Sequence, residues 1–336
     1  MDINTELMGC NMTSNTIDVE QNAIDSYTKT KLLSFLTENE IKICDRLKKV
    51  PYYQFYYDAM YDYEFIKIGQ MRDNVIENTE IKHKKYVLCK YIRYKGMGFN
   101  DFFIALPTPK LVIYHALDSY SHLLTSLLNL NQVGVCYYRL SPDCLFFDET
   151  YKPKIQHFEQ SILDANESFT TTITKNKPLE IYAIRYLIEN KMETMTELAL
   201  NTICDDYISN LMVLNLFSQS YKDLHRNECF KFLNSYLDKQ SSFIINDLMK
   251  YIETWDNYSL SLLYIRLIGS IAGVFGLKGT IMNKLIAILS RNIGPDPTKR
   301  ASLQETILYY KGLKKDFAFI DQIPNDKIDK LREILI

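Results

Sequence analysis

ILSRNIGPDPTKRASLQETI, residues 288–307, carries four features in a fixed order: the end of an apolar helix, an Asp296-Pro297 step, Arg300, and a small residue and a leucine (Ala301, Leu303) leading into another helix. Upstream of it, WDNYSLSLLYIRL (255–267) opens an apolar stretch running from Tyr258 to Leu277, long enough to raise the question of a membrane span. Arg266 sits near its centre, where a charge in lipid costs on the order of 2.5 kcal/mol or more, and Ser and Gly interrupt it repeatedly. A helix apolar nearly all round is equally suited to the middle of a large domain. We therefore expect a buried central helix and no membrane partner.

Further back the pattern changes. Ile113, Leu117, Tyr120, Leu124, Leu127 and Leu128 recur at helical spacing, which predicts a long helix over 113–130. Residues 133–155 break that period with strand-like VGVCYY, polar RLSPDC, apolar LFF, the turn DETYKP and strand-like KIQHF, a hairpin-bearing loop region between helices. From Ile181 the chain reads as helices over 181–203, 206–221, 228–236, 241–253, 257–275 and 280–291, with more after Asp296-Pro297. Before the Lys95-Gly96-Met97-Gly98 turn lie two strand-like pieces, 64–71 and 85–92, expected to be neighbours in a small sheet. An amphipathic helix over 31–50 (Leu32, Leu33, Leu36, Ile41, Cys44, Leu47) precedes them and ends before Pro51. These readings divide the chain into a polar arm (1–28), a small lobe (29–92), a helical lobe (93–314) and a tail (315–336).

Composition narrows the function. The 336 residues are 47% hydrophobic and 24% charged, enough to bury a sizeable core and to fill two lobes. Basic (39) and acidic (41) residues nearly cancel, to a net charge of −2, so no single-sign field draws in nucleic acid or anionic membrane. Seven cysteines, odd in number and never in a CxxC pair, argue for free thiols in a reducing, intracellular compartment and against a zinc or disulfide framework. The N-terminus lacks a basic segment followed by an apolar one, so secretion is not expected. The glycosylation-type triplets at Asn11, Asn166 and Asn257 are then chance matches.

Taken together, VCYYRLSPDCLFF (135–147), PKIQHFEQS (153–161), PLE (178–180), WDNYSLSLLYIRL and ILSRNIGPDPTKRASLQETI resemble, in that order, the large lobe of protein kinases. The resemblance covers roughly Tyr86 to Leu313 and implies an α+β, bilobal, protein-kinase-like fold with a reduced N-lobe and a mainly helical C-lobe. YVLCKY (86–91), GFNDFF (98–103) and SYSHLLTSLLNLN (119–131) further resemble the divergent kinase-like proteins, pseudokinases among them, of large DNA viruses.

In active kinases an H-R-D-x-x-x-x-N loop supplies the base and one magnesium ligand, and D-F-G supplies another. By the resemblance, the H-R-D positions fall on Tyr137, Tyr138 and Arg139, so a guanidinium that accepts no proton replaces the carboxylate. The Asn position falls on Cys144, and D-F-G becomes His157-Phe158-Glu159, a soft thiol and an imidazole where magnesium wants oxygen. A slipped alignment promotes Asp143 or Glu159 instead. The Gly-rich phosphate loop has no evident place, and no V-A-I-K-like strand precedes the 31–50 helix; Glu38 or Glu40, with Lys67 or Lys90, would be the nearest substitute for the lysine–glutamate pair. What the resemblance does retain is architectural: Glu180 paired with Arg300, and Asp256 anchoring the central helix.

The implied function is that of a pseudokinase, a non-catalytic scaffold or protein-interaction module, with other proteins as partners and no cofactor. The alternative is a divergent active serine/threonine kinase using ATP and magnesium through Asp143, Glu159 and an unrecognised lysine, converging on one cleft. A helical adaptor without kinase ancestry would leave Glu180 and Arg300 apart. Ser168 and Thr170, Thr171, Thr172 and Thr174 lie in a polar loop open to phosphorylation. His115 and His122, seven apart on one helix, lack a third metal ligand, and Ser141 lacks a base. The tyrosine-rich run from Tyr52 to Tyr63 reads as inter-lobe packing or as a recognition surface.

Overall fold

The computed structural model describes residues 25–66, 85–164, 175–277 and 280–335. It is a mainly helical α+β protein with small antiparallel sheets, a sheet-bearing lobe and a helical lobe. In chain order the elements are β1 (Ser26–Leu32), α1 (Phe35–Leu47), the single turn α2 (Tyr53–Tyr56), β2 (Asp62–Ile66), β3 (Tyr86–Ile92), β4 (Gly96–Gly98), α3 (Phe99–Ala105) and α4 (Pro109–Gln132). Four short strands follow, β5 (Val135–Cys136), β6 (Leu145–Asp148), β7 (Pro153–Ile155) and β8 (Ile162–Leu163). The remainder is helical: α5 (Leu179–Glu189), α6 (Glu197–Asn210), α7 (Gln219–Asn234), α8 (Ser241–Met249), α9 (Trp255–Phe275), α10 (Ile281–Asn292), α11 (Leu303–Leu313) and α12 (Ile328–Leu335).

The small lobe is a three-stranded antiparallel sheet in the order β1-β3-β2, with α1 connecting an edge strand to the rest. Only β3 shows the alternating burial of a strand with one covered face: Val87, Cys89 and Tyr91 point inward. The edge strand β1 is largely exposed and carries Lys29 and Lys31, residues that discourage further strand pairing. Its position corrects the sequence reading at two points. The arm expected to run to residue 28 contributes strand from Ser26, and the helix expected from Lys31 starts at Phe35, where Ser34 caps it by accepting from the Thr37 N–H. Residues 67–71 of the predicted strand 64–71, with Lys67, lie outside the described residues.

The large lobe is built round α9. Trp255, Asp256, Asn257, Tyr258 and Tyr264 are all fully buried, and the helix packs between α4 and α10. By length and composition α9, with the turn before it, would be able to cross a membrane, yet most of that stretch is covered by protein. Arg266 and Gly273 are exposed on it. Asn257 is inaccessible to any glycan: its Nδ2 donates to the Ala301 carbonyl (2.7 Å) and to Thr306 Oγ1 (2.8 Å).

Other boundaries move by more than a residue or two. The segment expected as one helix over 181–203 is two, α5 and α6, separated by the stretch around Met195, and the breaks expected after 203 and 221 fall inside α6 and α7. The C-terminal tail is not loose: Leu331 of α12 is buried, and Arg332 donates from Nε to the Ile104 carbonyl (3.1 Å) and from Nη2 to the Leu106 carbonyl (3.2 Å), docking α12 beside α3. All the cysteines among the described residues are free and buried.

Candidate functional site

Two buried contacts, from Asp256 and from Lys177, hold Tyr138 of the loop 137–144 against the helical lobe. Asp256, in the first turn of α9, accepts from the Tyr138 backbone N–H (2.6 Å) and from Asn131 Nδ2 (2.7 Å). Burial raises its carboxyl to about 7, against the pull of those N–H donors. The clamp matters because Tyr138 has φ 44°, a left-handed conformation that a tyrosine does not adopt without support. Glu180 and Arg300 meet as well, and Trp255 Nε1 donates to Glu180 Oε1 at 3.0 Å. Lys177 Nζ reaches the Tyr138 carbonyl at 3.3 Å and lies 5.0 Å over the Tyr138 ring.

Three of the residues singled out in the sequence come together around this loop. Arg139, Cys144 and His157 line one cavity of about 410 Å³, with Asp143, Glu159 and Lys177. Cys144 is buried, 3.2 Å from Ser141 Oγ, and among the described residues no histidine or carboxylate bonds to the Ser141 hydroxyl. His157 is exposed at φ 63°, turning the chain so that Phe158 is buried against Tyr57 (5.8 Å) and Tyr137 (5.6 Å). Tyr137 is itself buried and donates to the Gln156 carbonyl at 2.6 Å. Edge-to-face aromatic contacts thus run from Tyr57 through Phe158 to Tyr137 of the loop.

Chemically the cavity is a poor magnesium site. Its hard oxygens, Asp143 and Glu159, share it with two arginines, two lysines, a thiol and an imidazole, and among the described residues no group of three His, Cys, Asp or Glu is placed to hold a metal. The residues present do not fit a magnesium pair. Both carboxylates of the alternative reading do face this cavity with lysine beside them.

One pair escaped the sequence reading. Lys31 Nζ, on β1, lies 2.6 Å from Oε2 of Glu40, on α1, and the Tyr91 hydroxyl donates to Oε1 of the same carboxylate at 2.9 Å. Glu40 is buried, so the lysine answers a charge that water does not. The pairing joins the strand before the helix to the helix. Lys90 instead pairs with the exposed Asp62 (2.7 Å), and Lys67 lies outside the described residues. Next to Glu40, Asn39 Nδ2 donates to the carbonyls of Glu159 (3.0 Å) and Ser161 (2.8 Å), tying α1 to the turn after Phe158.

The remaining candidates separate. His122 is buried against Tyr56 (5.2 Å), whereas His115 packs on Phe102 (5.4 Å). Within the tyrosine-rich run Tyr57 is fully buried and donates to the Ser126 carbonyl (2.7 Å), while Tyr52 is 88% exposed. Ser168 and the threonines from Thr170 to Thr174 lie outside the described residues, as do Asn11, Asn166 and Cys10.

No family model matches the sequence, and no curated protein matches it. Among solved structures the chain is similar to the kinase domain of a Toxoplasma gondii specific rhoptry antigen, at 11% identity and a TM-score of 0.47, over 87% of this chain and 74% of that one.

Proposed function

We propose that this protein is a pseudokinase, a non-catalytic scaffold or interaction module that works through contacts with other proteins inside a cell. The observation that carries the reading is Arg139 on the loop held by Asp256, with Cys144 and His157 on the same cavity. A guanidinium accepts no proton, and the neighbouring thiol and imidazole are weak magnesium ligands. A framework that keeps Glu180–Arg300 and Asp256 while its loop lacks base and metal ligands suits binding better than phosphotransfer. The reading includes no resident cofactor, no nucleic-acid partner and no membrane. The viral resemblance extends it to a virion component or a decoy in host signalling.

Glu180 and Arg300 are in contact, which disfavours a helical adaptor without kinase ancestry. A second reading, a divergent active kinase, draws support from Lys31–Glu40 and from Asp143 and Glu159 facing one cavity. Thermal unfolding with saturating ATP and magnesium separates the two. Ligand at about 100 times its dissociation constant stabilises by roughly 2.7 kcal/mol, a shift of a few degrees. The pseudokinase reading expects no magnesium-dependent shift and no phosphotransfer. A magnesium-dependent shift lost in Lys31→Met, together with phosphotransfer lost in Asp143→Asn or Glu159→Gln, establishes the active kinase instead.

A further inference from the structure

Among the described residues, the cavity behind the 139–144 loop is lined by more cations than carboxylates. Arg139, Lys175, Lys177 and Arg266 line it, against Asp143 and Glu159. Among the described residues none of these four cations forms an ion pair, and the Arg139 guanidinium makes no hydrogen bond although its Nη1 is shut off from solvent. Lys177 is 6% exposed; among the described residues its ammonium donates to the Tyr138 carbonyl and lies over the Tyr138 ring. Taking cations out of water without a counter-charge is costly, and a native site that does so is built for something that supplies the charge.

We propose that this cavity binds a phosphomonoester dianion, gripped by Arg139 and Lys177, with the exposed Arg266 on its rim and the Ser141 hydroxyl as a further donor. Arginine's planar fork takes two phosphate oxygens at once, and lysine adds a point charge, so the pair favours a dianion over a single carboxylate. The volume, about 410 Å³, exceeds that of a bare ion and accommodates a phosphorylated side chain. Burial, with Arg139 beside it, lowers the Lys177 ammonium to about 7, and a bound dianion would restore its charge. The inference stands on the cavity and does not depend on whether nucleotide binds or the kinase reading holds.

The test is isothermal titration of the full chain at pH 7 and constant ionic strength, with inorganic phosphate and N-acetyl-O-phosphoserine amide as separate probes and N-acetylserine amide as the blank. Saturable binding of either phosphate probe is expected, weakened about tenfold or more in Arg139→Gln and Lys177→Gln, since a hydrogen bond to a charged group is worth about 1.5–3 kcal/mol. Tighter binding of the phosphoserine probe identifies a phosphoprotein as the source; binding of inorganic phosphate alone identifies the free ion. Arg266→Gln, at an exposed position, supplies the comparison where a buried variant does not fold. The proposal is overturned by the absence of saturable binding to both probes, or by binding unchanged in every variant that folds.

Discussion

Glu180 and Arg300, 120 positions apart in sequence, form a two-pronged ion pair with oxygen–nitrogen distances of 2.7 and 2.8 Å and no exposure of either side chain. Arg300 uses its remaining donors on the Gly294 and Pro295 carbonyls and Thr254 Oγ1, and its guanidinium lies 5.0 Å from the Tyr258 ring centre. The pair joins the start of α5 to the turn before α11 across the first turn of α9. Removing one partner strands the other charge in the core, so Glu180→Gln or Arg300→Met is expected to cost about 3–5 kcal/mol. Urea unfolding measures it, and the double variant should lose less than the two single losses added, because neither charge is then left alone. Strict additivity would show that the pair is not the unit.

Lys31 and Glu40 form a weaker pair, with the lysine side chain 30% exposed. Lys31→Met leaves the buried carboxylate with the Tyr91 hydroxyl as its donor, and a loss of about 1–3 kcal/mol is expected. Glu40→Gln keeps an acceptor for Tyr91 and removes the stranded charge, so it should cost less than Lys31→Met. The same urea titrations decide this order. Equal losses would mean that the carboxylate is solvated in solution.

Two histidines give the protein a reason to weaken in acid. His122 lies against Tyr56, beside Lys152, with its Nε2 unpartnered; His225 lies against Tyr207, beside Arg300. Burial first, then those cations, lowers each to about 4, below the roughly 6.5 of a free histidine. Between those values the unfolded chain binds more protons than the folded one, so this contribution to stability falls as pH drops from 6.5 to 4. Each shift amounts to up to about 3 kcal/mol. Asp256, raised to about 7, acts oppositely by holding its proton when folded, and it is common to wild type and variant. The difference in unfolding free energy between wild type and His122→Gln/His225→Gln should therefore shrink or reverse as pH falls. A difference independent of pH would show that both imidazoles titrate normally.

The large lobe was readable in the sequence because its determinants are dense and local. The apolar period of α4, the continuous apolar run of α9 and the Asp296-Pro297 step before Arg300 each leave a mark that survives without neighbours. Lys31 left none. SYTKTKL is an exposed edge strand, paired only through β3, so it shows no hydrophobic alternation, and its lysine acquires meaning only when α1 folds back to place Glu40 beside it. The division of 181–203 into α5 and α6 was hidden for a different reason. Both halves are apolar on a face, and the break near Met195 is made by tertiary contact, with the Met195 N–H bonded to the Lys239 carbonyl. The cavity's charge excess was illegible too, since Arg139, Lys177 and Arg266 are brought together by three separate elements.

Between the lobes the chain passes from β3 to α3 through residues 93–98, and β4 in that passage pairs with β6 of the large lobe, Gly96 opposite Asp148 and Gly98 opposite Phe146. A Cβ on Gly96 would overlap the Phe147 carbonyl oxygen and lie 2.8 Å from Phe146 Cζ. The carbonyl belongs to the sheet backbone and has nowhere to go, so Gly96→Ala must pull β4 away from β6, at an expected cost of about 2–3 kcal/mol. Gly98 supplies the control. A Cβ there meets only Asp101 Oδ2 at 3.6 Å, ordinary contact, and although Gly98 is the N-cap of α3, where alanine is poorer than glycine, Gly98→Ala should cost about 0.5–1 kcal/mol, less than Gly96→Ala. Hydrogen exchange would locate the damage: the amides of residues 96–98 and 145–148 should lose protection in Gly96→Ala while those of α9 keep theirs. If the two alanine variants behave alike, the connection between the lobes is not clamped to β6, and the lobes are joined by the 93–98 chain alone at that edge.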